Sequence, residues 1–387
     1  MAELTSEMEG LKLAVGLAPP ASPESPALSP PSNATVVDKD GDLYIVVGSE
    51  KRAFQVDSRA LVRVSSVWKS MLTGNWAESR PSVGAWIVNF PSDDPYAIEI
   101  LLHIIHLNTR QIPRAGSITI GVLFRVAVAV DMYDLEGCLG LWAKSWCSAV
   151  APVVEATKDV EALARLSWIA WVFGDKSLFQ GSLDRLVMEL EVDGEGGLVG
   201  IGGLDSGDME VLKAMDLLDH LATTRTQLIT SLLAVLESTL QTAINTSRTA
   251  IQSPFCRSTA VSGMSSDSAR YKVRADCTAA ILGSMIQSLA AEELFPYPES
   301  PEDIFESAGA LRHRLVRVVE GIQTLGIPNG TGTAFIDESV HAGCNPKKRL
   351  LKWLDAERPR CAPTQAQIRH LEETAERIGV GESARRA

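Results

Sequence analysis

Along residues 41–72 the hydrophobic period of the chain changes. Leu43 to Val47 is a continuous apolar run, Gly48-Ser49-Glu50-Lys51 is turn chemistry, and Phe54-Gln55-Val56 alternates. This pattern predicts a small hairpin. After Asp57-Ser58 the apolar residues fall at Leu61, Val64, Val67/Trp68 and Met71/Leu72, and a spacing of three and four predicts a helix. Gly74-Asn75 interrupts it, and Trp86–Phe90 reads as a third strand. In "PSDDPYAIEILLHIIHL", Ser92, Asp93 and Asp94 offer capping oxygens, Pro95 suits a first turn, and Ile98, Leu101, Leu102 and Ile105 form a stripe. Leu123, Val126, Ala127 and Val130 mark the next helix. Leu135, Leu139, Trp142 and Trp146 share one face of the one after it. From 41 to 149 the predicted order is ββαβααα.

Beyond 150 strand signals nearly vanish. Helical patterns cover about 156–173 and 175–190, then "EVDGEGGLVGIGGLDSGD" (191–208) reads as a long flexible loop. A phosphate cradle there would need a preceding strand and a Lys-Ser/Thr ending or dinucleotide spacing, and has neither. Residues 208–249 carry one long amphipathic pattern, with Leu228, Ile229, Leu232, Leu233, Leu236, Leu240 and Ile244 as its stripe. Further helices are predicted at about 267–291, 303–325 and 346–356. A last one opens on the capping box Thr364-x-x-Gln367. No repeat of a solenoid or propeller is present.

Composition adds limits. With 387 residues, 45% of them hydrophobic and 22% charged, the chain has material for two or three packed domains. The stretch "PPASPESPALSPPSNAT" cannot bury a core, so residues 1–36 are expected to form a disordered tail. A net charge of −12 disfavours nucleic acid as a partner. The early apolar piece Leu11–Ala18 follows acidic residues, unlike a signal peptide, and no uninterrupted run reaches membrane-helix length. Six cysteines are too few for a secreted disulfide framework, so the expected compartment is cytoplasmic or nuclear.

Candidate chemistry is sparse. There is no G-x-S-x-G elbow, P-loop, H-E-x-x-H, Cys-x-x-Cys pair or kinase signature. His103 and His106 stand three apart on an apolar helix and read as flank residues rather than ligands. Cys256, Cys277, His341 and Cys344 would together satisfy tetrahedral zinc, and His341-x-x-Cys344 is plausible ligand spacing. Against that, Cys256 and Cys277 are separated by 20 residues, and Cys277 shares an apolar face with Ile281 and Met285. Buried thiols need no metal to explain them. The sequence therefore assigns no catalytic, cofactor-binding or metal residue and favours ordinary core packing for these three thiols and the histidine. "NPKKRLLK" (345–352) reads as a solvated basic face, and most of the tryptophans as core.

The segments "GDLYIVVG", "RAFQVDSRALVRVSSVWKSML", "WIVNFPSDDPYAIEILLHIIHLNTRQIP" and "LFRVAVAVDMYDLEGCLGLWAKSWC" resemble, in this order, a BTB/POZ domain of the style frequent in fungal proteins. The resemblance covers about 110 residues and implies a compact α/β fold of short strands covered by helices. Its members bind proteins, often as homodimers, and sometimes tether substrates to a cullin-type ubiquitin ligase. The expected organisation is a tail (1–36), a BTB/POZ domain (37–150) and a mainly α-helical C-terminal region (151–387). The expected function is a non-enzymatic interaction module, scaffold or ligase adaptor, with protein partners and no membrane. A zinc protein or enzyme using the Cys/His set, or a transcriptional regulator, is the alternative.

Overall fold

The computed structural model describes residues 29–194, 196–199, 206–249, 255–258, 261, 266–325, 327–328 and 336–380. Most of the expected tail lies outside them. Its end does not behave as tail: β1 (Thr35–Val36) pairs in parallel with Phe54 and Gln55. The chain is mixed α/β and mostly helical, and it divides into two compact units. The first comprises residues 1–185, 205–217 and 362–387, the second residues 186–204 and 218–361.

In the first unit β2 (Leu43–Val47) and β3 (Arg52–Val56) form the antiparallel hairpin. β4 (Trp86–Phe90) joins β2 in parallel, Leu43 opposite Trp86 and Val47 opposite Phe90. The strand order is β1-β3-β2-β4. Alternation decides which face is covered: Leu43, Ile45, Val47, Val88 and Phe90 are buried, with Leu61, Trp68 and Leu72 from the helices that follow.

The single helix expected over 58–72 is two, α1 (Ser58–Val64) and α2 (Ser66–Thr73). Ser65 breaks it. Its hydroxyl accepts from Trp68 N at 2.9 Å and donates to the Tyr133 carbonyl at 2.6 Å, with extended backbone. A side chain that caps a new helix while bonding across the core outweighs one continuous helical bond. Asp94 caps α3 (Pro95–Ile105) by accepting from Ala97 N. α4 (Ile120–Met132), α5 (Ala143–Ala156), α6 (Val160–Phe173) and α7 (Lys176–Glu189) follow. Trp146 is fully buried in α5. Trp142, expected beside it in the core, stands at the helix N-cap and is half-buried.

The acid-glycine stretch is not an open loop over its first half. Glu191–Val192 (β5) and Leu198–Val199 (β6) form an antiparallel hairpin; much of the remainder lies outside the described residues. The long pattern of 208–249 also splits, into α8 (Ser206–Ala214) and α9 (Leu218–Thr249), where Asp216 takes a left-handed φ of 54°. The Met215 carbonyl freed there accepts from Gln367 Nε2 at 2.8 Å.

In the second unit α9 packs with α10 (Asp267–Ala291) and α11 (Ala308–Glu320), and α11 with α12 (Lys347–Ala356). β7 (Ile327–Pro328) and β8 (Ile336–Asp337) pair antiparallel. The stripe of α9 is buried from Leu228 to Leu240, with Ile244 at its end half-buried; Ile281 and Met285 of α10 and Leu311 and Leu315 of α11 are buried as well. Among the described residues one helical stretch, Leu218–Asn245, is long and apolar enough by composition to cross a membrane; its stripe is part of this core. α13 (Gln365–Ile378) closes the first unit, with both halves of the Thr364/Gln367 capping box formed.

Candidate functional site

Three segments of the second unit converge on one point. The short stretch 255–258 brings Cys256, the third turn of α10 brings Cys277, and a 3₁₀ turn (Glu338–Cys344) ahead of α12 brings His341 and Cys344. The placement of Cys277 follows from the stripe that carries Ile281, Met285 and Leu289 inward. His341 and Cys344, three apart, fall on one side of a 3₁₀ turn, where such residues eclipse.

Each of the four offers one ligand atom, and those atoms all lie within 4.8 Å of one another. His341 Nδ1 is 3.7 Å from Cys256 Sγ and 3.6 Å from Cys344 Sγ. All four residues are buried, Cys277 and His341 completely. Backbone amides point at the sulfurs: Arg257 N donates to Cys344 Sγ at 3.2 Å, and the Ser258 backbone bonds to Cys256. Burial raises the thiol pKa of Cys256 and Cys277 and, in Cys277, the neighbouring sulfurs Cys344 and Cys256 add to it. Burial also lowers the pKa of the His341 imidazole.

The sequence supplied all four residue types but not their convergence. The amides of Arg257 and Ser258 carried no sequence signal, since any residue other than proline supplies a backbone N–H.

The other histidine pair is not gathered. His106 accepts from Asp57 N at Nε2 and bonds the Leu102 carbonyl through Nδ1, whereas His103 is near Asn108. Each ring serves local structure. In the first unit the surface carries large apolar side chains at Val83, Leu107 and Leu141, which are 71%, 74% and 80% exposed. Leu107 is held in a left-handed conformation, φ 58°, at the end of α3. No known protein-family model matches the chain, and neither a curated protein nor a solved structure matches it.

Proposed function

We propose that the chain is a non-enzymatic protein-interaction protein whose first unit carries a BTB-type docking module over residues 37–150. The observation that supports this reading is the register of the sheet. An antiparallel hairpin, β2–β3, is followed by a broken helix pair and a third strand that returns parallel to β2. Helices α3, α4 and α5 follow in the order the sequence resemblance implies, while α6, α8 and α13, outside its range, belong to the same unit. Val83, Leu107 and Leu141 are three separate exposed apolar positions of this unit, each available to a protein partner. The charge of −12 favours proteins over nucleic acid. None of the six cysteines is joined in a disulfide, which favours a reducing compartment, cytoplasm or nucleus.

Affinity capture with the full chain and with the double variant Leu107→Asp/Leu141→Asp tests the reading. Partners held by the parent chain and lost from an equally stable variant support it. Identical partner sets overturn docking through Leu107 and Leu141. A cullin scaffold that binds directly when purified would identify the ligase-adaptor role; its failure to bind leaves a scaffold without ligase function.

A further inference from the structure

We propose that Cys256, Cys277, His341 and Cys344 bind one Zn2+ in a closed tetrahedral site that organises the second unit. This goes beyond the docking function of the first unit and stands or falls separately.

Geometry carries it. Around tetrahedral zinc, with Zn–S of about 2.3 Å and Zn–N of about 2.0–2.1 Å, nitrogen–sulfur edges are about 3.5–3.6 Å and sulfur–sulfur edges about 3.8 Å. The two nitrogen–sulfur separations from His341 Nδ1, 3.6 and 3.7 Å, are within about 0.2 Å of that edge, and no pair of donor atoms exceeds 4.8 Å. Two of the six edges match the tetrahedron and the others stay within 4.8 Å, so a cation among the four donors is reached by small side-chain adjustments.

Thiol packing explains this arrangement less well. A neutral imidazole nitrogen has either one hydrogen or one lone pair, yet Nδ1 faces two sulfurs at nearly equal distance. A metal satisfies four lone pairs at once. The amide directed at Cys344 Sγ makes the same point, because an N–H bonded to sulfur needs an acceptor and a thiolate is a far better one than a thiol. Backbone amides around the sulfurs supply the outer hydrogen bonds that metal-bound thiolates use.

The donor set also selects the metal and its role. Three thiolates with one imidazole are a common structural zinc set, whereas hard cations take oxygen ligands. On loading, Zn2+ enters, three thiols lose their protons to solvent, and the neutral imidazole donates a lone pair; nothing is oxidised or reduced. Four buried protein donors leave no open position for water or substrate, so the site is structural rather than catalytic. Its effect is to join position 256, a turn of α10, and the stretch 341–344 that leads into α12, segments far apart in the chain.

Elemental analysis and native mass spectrometry of the full chain, purified without chelator, test the proposal. One zinc per chain is expected, accompanied by loss of three protons. Cys277→Ser and Cys344→Ser should each lose the zinc, while Cys147→Ser and Cys361→Ser retain it. Because the serine variants can fail to fold, two further measurements keep the test decisive. His341→Cys supplies a fourth thiolate and should still hold one metal. Co2+ added to chelator-stripped parent chain should give the strong visible bands of a tetrahedral site, with sulfur-to-cobalt charge transfer in the near ultraviolet. A metal-free chain that shows no such spectrum, and whose thermal midpoint is unchanged by added Zn2+, overturns the proposal. So does zinc retained in full by Cys277→Ser and by Cys344→Ser.

Discussion

The imidazole of His370 lies flat on the indole of Trp171, ring centroids 3.7 Å apart and planes 11° from parallel. Through this stack α13, near the end of the chain, packs on α6, about 200 positions earlier, within the first unit. Lys176 adds a surface ion pair with Glu372 at 2.6 Å, both side chains half exposed, which contributes little by itself. The stack and the apolar face of Leu371, Ala375 and Ile378 hold the helix.

Burial keeps His370 below the ordinary imidazole pKa, with Arg377 acting in the same sense. The folded ring therefore stays neutral where the unfolded ring takes up a proton. Below an unfolded pKa of about 6.5 the unfolded state binds more protons, so stability contributed by this residue is present above that pH and is lost as pH falls through it toward the lower folded value. The thermal midpoint of the first unit should drop between about pH 7.5 and about pH 5. His370→Gln should flatten that slope. A slope unchanged by the substitution would show that other groups set it.

Gly174 ends α6 with φ 66°, and a side chain there would meet the backbone of α13, Ala375 N at 2.5 Å and the Leu371 carbonyl at 2.8 Å. Gly379 ends α13 with φ 81°, and a side chain there would meet nothing within 4 Å. Gly379→Ala should thus cost about 1 kcal/mol, the penalty of the left-handed backbone alone. Gly174→Ala should cost clearly more and expose the amides of α13 to hydrogen exchange. Equal costs would show that α13 accommodates the methyl without moving.

Two tryptophans assigned to the same core face separate in the structure. Trp146 is fully buried, and its Nε1 donates to the Pro113 carbonyl at 3.1 Å. Trp142 stands at the N-cap of the helix and is half-buried. Trp146→Ala should cost about 3–5 kcal/mol by chemical denaturation, and Trp142→Ala markedly less. Similar losses would place Trp142 in the core after all.

What was legible in the sequence is what local periodicity encodes. The strands Leu43–Val47 and Trp86–Phe90 and the helix Asp267–Ala291 have the predicted limits, because alternation or a helical stripe runs to their ends. The breaks at Ser65 and Asp216 were hidden because the apolar spacing continues through both, while the cause is distant: the Tyr133 carbonyl in one case, Gln367 in the other. The return of α13 to the first unit depends on close approach at Gly174, which leaves no local trace. The Cys/His cluster was half legible. Its residue types and the His341/Cys344 spacing stand in the sequence, but only the fold brings Cys256 and Cys277 to them.

Arg225 fixes a part of the second unit that no periodicity announces. It is 3% exposed on α9, and its guanidinium donates to the carbonyls of Leu190 and Ile304 at 3.0 Å each and of Glu306 at 2.6 Å. One planar fork thus satisfies the end of α7 and the segment leading into α11, both places where helical bonding gives the carbonyls no partner. Burial lowers its pKa, with Glu191 and Glu306 opposing the shift. Arg225→Met fills the space but leaves two buried acceptors and one part-buried acceptor unpaired, at about 1–3 kcal/mol for each buried one and less than additive, so a total loss of about 2–4 kcal/mol is expected. Arg225→Lys keeps the charge but not the fork and should recover only part of it. Hydrogen exchange locates the effect: amides near 304–307 should lose protection in both variants, more in the methionine one, while those of β2–β4 in the first unit stay unchanged. Full protection of 304–307 in Arg225→Met would show that apolar packing, not the guanidinium, holds that segment.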